Sequence, residues 1–205
     1  MQNDSGLQSL FVVPFLYTAF QKLTGARRWR KKFVRETVRP AAGDKLVDIG
    51  CGPAQMLDFL PDVRYVGFDV SEAYIASAKK RHGQRGTFLV GHTGTLRGHE
   101  ALRDADIVMC CGVLHHLNDD EALDLAGFAR ETLRPGGRFV ALEAAWLPGQ
   151  SRLSKWMVAQ DRGKNVRTVD EYHALVARYF SKIQITPDLH PLRMPYAGLV
   201  MECSG

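Results

Sequence analysis

The 205-residue sequence predicts a doubly wound α/β fold. Its sheet is mostly parallel and seven-stranded, with helices on both faces and an antiparallel final strand. Three observations predict this. Short, near-continuous apolar runs alternate with helix-like segments, the signature of strands buried on both faces. The first of these runs ends in an acidic residue and a glycine turn. The last two runs are joined by a stretch too short for a crossover helix, which makes that pair antiparallel.

The elements follow in order. LQSLFVVPFLYTAF near the N-terminus is apolar but too short to span a bilayer, and Pro14 interrupts it, so it reads as a lid or core helix. ARRWRKKFVR (26–35) reads as an amphipathic helix that interleaves Trp29, Phe33 and Val34 with charge, a solvated face rather than a nucleic-acid stripe. KLVDIG (45–50) is the first strand and AQMLDFL the helix after its glycine turn. RYVGFD (64–69) is the second strand, and Ser71 caps the helix EAYIASAKKRH. TFLVG (87–91), ADIVMCC (105–111) and GRFVALEAAW (137–146) are the next three strands. Before the last of these lies a helix with Asn118 and Glu121 in capping-box spacing, acidic residues in its first turn, and Pro135-Gly136-Gly137 as its stop. Thr168 and Glu171 open a further helix in the same way. KIQITP (182–187) and AGLVMEC (197–203) close the sheet.

Composition narrows the class. Hydrophobic residues make up 45% and charged residues 24%, as in soluble globular domains. The net charge of +5 permits an acidic small partner without requiring one. Cys51, Cys110, Cys111 and Cys203 show no framework spacing and read as reduced thiols. The first residues lack the basic start of a signal peptide, so a cytoplasmic location is expected.

VDIGCGPAQ carries the chemistry. Gly50 and Gly52 let the backbone turn sharply and approach a ligand at the C-terminal edge of the first strand. Asp69 ends the second strand, 19 residues after Gly50, at a separation suited to ribose hydroxyls. A dinucleotide loop wants a third glycine where Gln55 stands, and a pyrophosphate would meet Asp48. A cofactor bearing a sulfonium and an ammonium would instead be welcomed by that carboxylate.

VDIGCGPAQ, YVGFDVS, ADIVMCCGVLHHL and LRPGGRFVALE together resemble successive motifs of the class I, Rossmann-like S-adenosylmethionine-dependent methyltransferases, in the small-molecule branch, over about residues 40–145. The resemblance implies one domain over 1–205. Residues 1–40 would be a helical lid, 41–145 the cofactor-binding core, and 146–205 a substrate-side insertion with the closing strands. It implies that Asp48, Gly50, Cys51 and Gly52 hold the methionine end of S-adenosyl-L-methionine, that Asp69 binds the ribose, and that Val70 packs on the adenine. Cys111 and Gly112 would lie under the methionine moiety. The family often places Asp after the third strand for the adenine amino group. Here His92 or Thr93 takes that place.

Methyl transfer needs collinear donor and acceptor, and an alcohol acceptor must lose its proton. His115 and His116 follow the fourth strand, and a histidine near its ordinary pKa of ~6.5 suits that task. Adjacent residues point differently, so one faces the substrate. His116 is favoured because similar methyltransferases often keep a histidine there. Glu143 is the second polar group, orienting the acceptor or the base, or else a strand-end carboxylate paired with an arginine. A zinc site is disfavoured because neighbouring cysteines on a strand face opposite ways and no C-x-x-C or H-x-x-x-H spacing occurs. No metal is expected. A nucleophilic cysteine is equally weak.

For the acceptor, Tyr17 from the lid, Trp146 and Arg162 from the insertion, and Arg193 and Tyr196 near the end are the candidates. Their mixture suits an anionic or sugar-containing molecule. The expected reaction is O-methylation of a sugar or metabolite hydroxyl. The alternatives are an RNA or other nucleic-acid methyltransferase, which lacks the usual Asn/Asp-Pro-Pro-aromatic loop here, and a cofactor-binding protein without turnover.

Overall fold

The computed structural model describes residues 26–160, 163–188 and 196–205. The expected lid up to residue 25, with Tyr17, and the candidates Arg162 and Arg193 lie outside the described residues.

Helix α1 (Ala26–Phe33) runs into a π turn, Val34–Val38. Trp29 stacks on Phe33 with centroids 5.1 Å apart, while Arg27, Arg28, Lys31 and Lys32 stay outside the core. Strand β1 (Lys45–Ile49) is followed by the glycine turn and a 3-10 helix, Gln55–Phe59, in place of the α-helix expected there. Ala54, at φ 52°, sets the left-handed entry to that tighter turn. Then come β2 (Arg64–Asp69), α2 (Glu72–His82), β3 (Gly86–Val90), the one-turn helix α3 (Thr93–Leu96) and β4 (Ala105–Cys111). The second half holds α4 (Asp119–Thr132), β5 (Leu133–Trp146), α5 (Arg152–Ala159), β6 (Arg167–Thr168), α6 (Val169–Val176), β7 (Lys182–Asp188) and β8 (Gly198–Ser204).

The caps read from the sequence form as hydrogen bonds. Ser71 Oγ accepts from Tyr74 N, and reciprocal capping boxes join Asn118 to Glu121 and Thr168 to Glu171. One boundary moves. Pro135-Gly136-Gly137 does not stop a helix, because α4 has already ended at Thr132. It instead forms an irregularity in β5, between the pairs Ala105↔Leu133 and Ile107↔Arg138. A side chain at Gly137 would stand 2.8 Å from the Ala105 carbonyl, so only glycine lets the strand close up there.

The main sheet has strand order β3-β2-β1-β4-β5-β8-β7, and the two-residue β6 pairs beside β5. β1 to β5 pair in parallel. β8 is antiparallel to both neighbours and sits between β5 and β7. Two apolar layers cover the sheet. One holds Val47, Ile49, Val108, Cys110, Phe128 and Phe139, and the other Phe33, Leu46, Leu57, Ile107, Met109 and Val140. Successive strand residues divide between the layers, the period of two that a strand imposes. Among the described residues no helix is long and apolar enough to cross a membrane.

Candidate active site

The C-terminal ends of β1, β2 and β4 converge at the middle of the sheet, and the glycine turn lies over them. Asp48, near the end of β1, is 2% exposed. Its Oδ2 accepts a hydrogen bond of 2.6 Å from the Tyr65 hydroxyl. Burial, with Asp69 nearby, pushes its carboxyl up to about 7, against the opposing pull of that hydrogen bond. Asp69 holds the turn: its Oδ2 accepts from Gly52 N at 3.0 Å and its Oδ1 from Ser71 N at 2.8 Å. Each oxygen keeps a second acceptor site.

The two glycines serve different ends. At Gly50, φ is 67°, and a Cβ would lie 2.5 Å from Val113 Cγ2 on the loop after β4. At Gly52, φ is 54°, and a Cβ would meet nothing within 4 Å. The first makes room for protein and the second faces open space. An open glycine beside two carboxylates fits a cationic amino-acid end, and Asp69 at the strand end fits a ribose.

Cys110 and Cys111 point to opposite layers, the first fully buried and the second partly so. Burial pushes both thiols well up, which leaves them as apolar packing rather than nucleophiles. Gly112, at φ 72°, donates from N to the Leu142 carbonyl at 2.8 Å. Among the described residues no three His, Cys, Asp or Glu side chains gather as metal ligands.

On the adenine side, Val70 is 70% exposed at the end of β2. His92 is exposed and caps α3, its Nδ1 accepting from Gly94 N at 3.2 Å. That bond leaves the ring proton on Nε2, so the other edge of a neutral His92 is a donor rather than an acceptor. It matches a purine ring nitrogen, not the exocyclic amino group. Thr93 donates its hydroxyl to Asp124 Oδ2 at 2.8 Å.

The two histidines separate clearly. His115 is buried and His116 exposed, with ring centroids 4.2 Å apart. Glu143, 1% exposed on β5, reaches under the turn Leu114–His116. Its Oε1 accepts from Val113 N and Leu114 N, and its Oε2 from His115 N at 3.3 Å and lies 2.6 Å from His115 Nδ1. The carboxylate thus fixes both the turn and the ring. Among the described residues no arginine pairs with it, the other role open to it from sequence.

Two further basic residues complete this side. Arg167, 6% exposed, donates to the carbonyls of Leu114 (2.9 Å), Leu117 (2.9 Å) and Asn165 (3.1 Å), and to Asp119 Oδ1. Lys164 lines a cavity of about 320 Å³ with Trp146, Val158, Ala159, Gly163 and Val166. Gly163 is shared: it lines the cavity and lies against the His115 ring, and Asn165 N donates to the His115 carbonyl. Tyr196 is half-buried against the core. Tyr65 was missed altogether, because a tyrosine in an apolar strand carries no signal beyond core packing.

The chain is similar to known proteins. Residues 47–139 match the family model described as a methyltransferase domain. The mouse acetylserotonin O-methyltransferase is 36% identical over 111 residues, 51% of this chain and 27% of that protein, so the chain spans about a quarter of that relative's length. Among solved structures, the pyocyanin biosynthetic protein PhzM superposes with a TM-score of 0.72 at 19% identity, over 94% of this chain and 58% of that one. Geranyl diphosphate C-methyltransferase from Streptomyces coelicolor does so with 0.69 at 19% identity, over 87% and 80%. The two superpositions speak for the fold, and the family match for the segment that carries the glycine turn, Asp69 and the histidine turn. Over residues 47–139 the chain is similar to a methyltransferase domain.

Proposed function

We propose that this chain methylates a hydroxyl oxygen of a small-molecule acceptor, with His115 as general base and Glu143 as the residue that orients it. The carrying observation is the 2.6 Å contact between His115 Nδ1 and Glu143 Oε2, on a turn whose backbone the same carboxylate holds. With Nδ1 donating to Glu143, the basic nitrogen is Nε2. This moves the base from His116, favoured by sequence, to His115. His116 is exposed, whereas His115 is buried.

S-adenosylmethionine, when bound, supplies the electrophilic methyl group. The chain does the rest. The glycine turn and Asp48 seat the amino-acid end, and Asp69 the ribose. Nε2 of His115 takes the hydroxyl proton as the oxygen–carbon bond forms, a contribution of about 10²–10⁴-fold. The cavity between Trp146 and Lys164 offers an aromatic wall and a cation, which supports an anionic or sugar-containing acceptor. The likeness to a relative named as an O-methyltransferase supports oxygen as the methylated atom.

A labelled-methyl screen over hydroxylated acceptors tests the reading. Transfer is expected to at least one, to fall by about 10²-fold or more in His115→Ala, and to persist in His116→Ala. Full turnover in His115→Ala would move the base elsewhere. Cofactor binding with no transfer to any acceptor would favour a binding protein without turnover.

A further inference from the structure

Asp48 is a buried carboxylate without a cationic partner among the ion pairs of the described residues, and its neighbours are built around one hydrogen bond. Tyr65 and Gly67 share a face of β2, and Gly67 lies in register beside Asp48. A Cβ on Gly67 would stand 2.9 Å from the Tyr65 hydroxyl oxygen and 2.9 Å from Cys51 Sγ. Gly86, in register with Tyr65 on β3, would place a Cβ 2.8 Å from Tyr65 Cδ1. Two strand glycines, Gly67 inside β2 and Gly86 at the start of β3, therefore clear the lane in which the phenol lies. Strand glycines are costly unless something must come close, and here it is a ring whose hydroxyl ends on Asp48.

We propose that Tyr65 is a cofactor-positioning residue: its hydroxyl holds one Asp48 oxygen beneath the glycine turn, and capture of the cofactor's cationic end is coupled there to release of a proton. This rests on reading that turn as the S-adenosylmethionine site. Asp48 is 2% exposed and sits near Asp69, so below about pH 7 its carboxyl keeps its proton unless a positive charge arrives. The other groups around it are Tyr65 and Asp69 from β2, Cys51 from the turn, and Cys110 and Cys111 from β4. Arg30 on α1 and Glu143 on β5 act on Cys111 from farther off. Asp69 is the other carboxylate in this group, and backbone N–H donors hold it. The ammonium is the charge that replaces the proton: Asp48 loses H⁺ to buffer, and the carboxylate faces the ligand's cation.

The test needs no acceptor. Calorimetry of S-adenosylhomocysteine binding between pH 5.5 and 8.5, in buffers of different ionisation enthalpy, reads both affinity and protons released. Affinity is expected to weaken about tenfold per pH unit below about 7 and to level off above it. Proton release should be near one per ligand at the acid end. 5′-Methylthioadenosine, the same nucleoside thioether without the amino-acid end, should bind with flat affinity. Asp48→Asn should abolish the slope. Tyr65→Phe removes the donor that favours the ionised carboxylate, so its break should move to higher pH. A flat wild-type profile without proton release overturns the proposal. So does a Tyr65→Phe profile that matches wild type, or a methylthioadenosine profile that matches that of S-adenosylhomocysteine. Failure of both ligands to bind at any pH overturns the cofactor reading itself.

Discussion

Single atoms decide the site's geometry, and the two glycines of the turn show how differently. Gly50→Ala must both hold φ 67° and displace Val113 Cγ2 from 2.5 Å. It should cost about 2–4 kcal/mol in denaturant melts. Gly52→Ala has space, so it should cost only about 1–2 kcal/mol, for the strained φ. Its methyl group would stand where the ligand approaches, and calorimetry should show S-adenosylhomocysteine affinity down about tenfold or more. If Gly52→Ala binds normally, the turn does not approach the cofactor there. Much of this was legible: Asp48, Gly50, Gly52 and Asp69 stand out because strand, turn and acidic residue are contiguous or regularly spaced. The proposed preference for His115 over His116 was not. It depends on Glu143, 28 positions away, and on Gly163 against the ring, neither of which local pattern reports.

Elements carry the site through their ends and caps. Ser71, Asn118 and Thr168 were readable because an N-cap is chemistry within four residues. The turn bearing His115 is a different case, since two remote residues hold it, Glu143 from β5 and Arg167 from β6. Arg167 spends its donors on three carbonyls and Asp119, and its guanidinium lies 5.9 Å from the Tyr172 ring centroid. Arg167→Met would strand the Leu114 and Leu117 carbonyls. We expect a loss of about 2–4 kcal/mol, read as a lower Tm. An unchanged Tm would show that water replaces the guanidinium without loss. Arg167 was not legible in the sequence, because nothing local distinguishes a buried arginine from a solvated one.

At the scale of the molecule, the parallel half of the sheet followed from its apolar runs, and the antiparallel close from a short connection. The place of β8 did not, since strand order is set by long-range pairing. The unliganded fold also carries a cost. Unfolded, the Asp48 carboxyl ionises near its ordinary 3.8; folded, near 7. Between these values the native state holds a proton that the unfolded state lacks. This group's contribution to stability therefore falls as pH rises, by about 1.4 kcal/mol per unit, and levels off above about 7. The difference in unfolding free energy between wild type and Asp48→Asn, measured from pH 5 to 8, should follow that slope; a constant difference would contradict it. One further consequence lies in the order of synthesis. β7 leaves the ribosome before β8, yet among the described residues its sheet pairing is with β8 alone, and β8 also covers the open flank of β5. Until β8 emerges, a nascent chain displays an unpaired parallel sheet edge with a loose strand beside it, the kind of template on which a neighbouring chain could add its own strand.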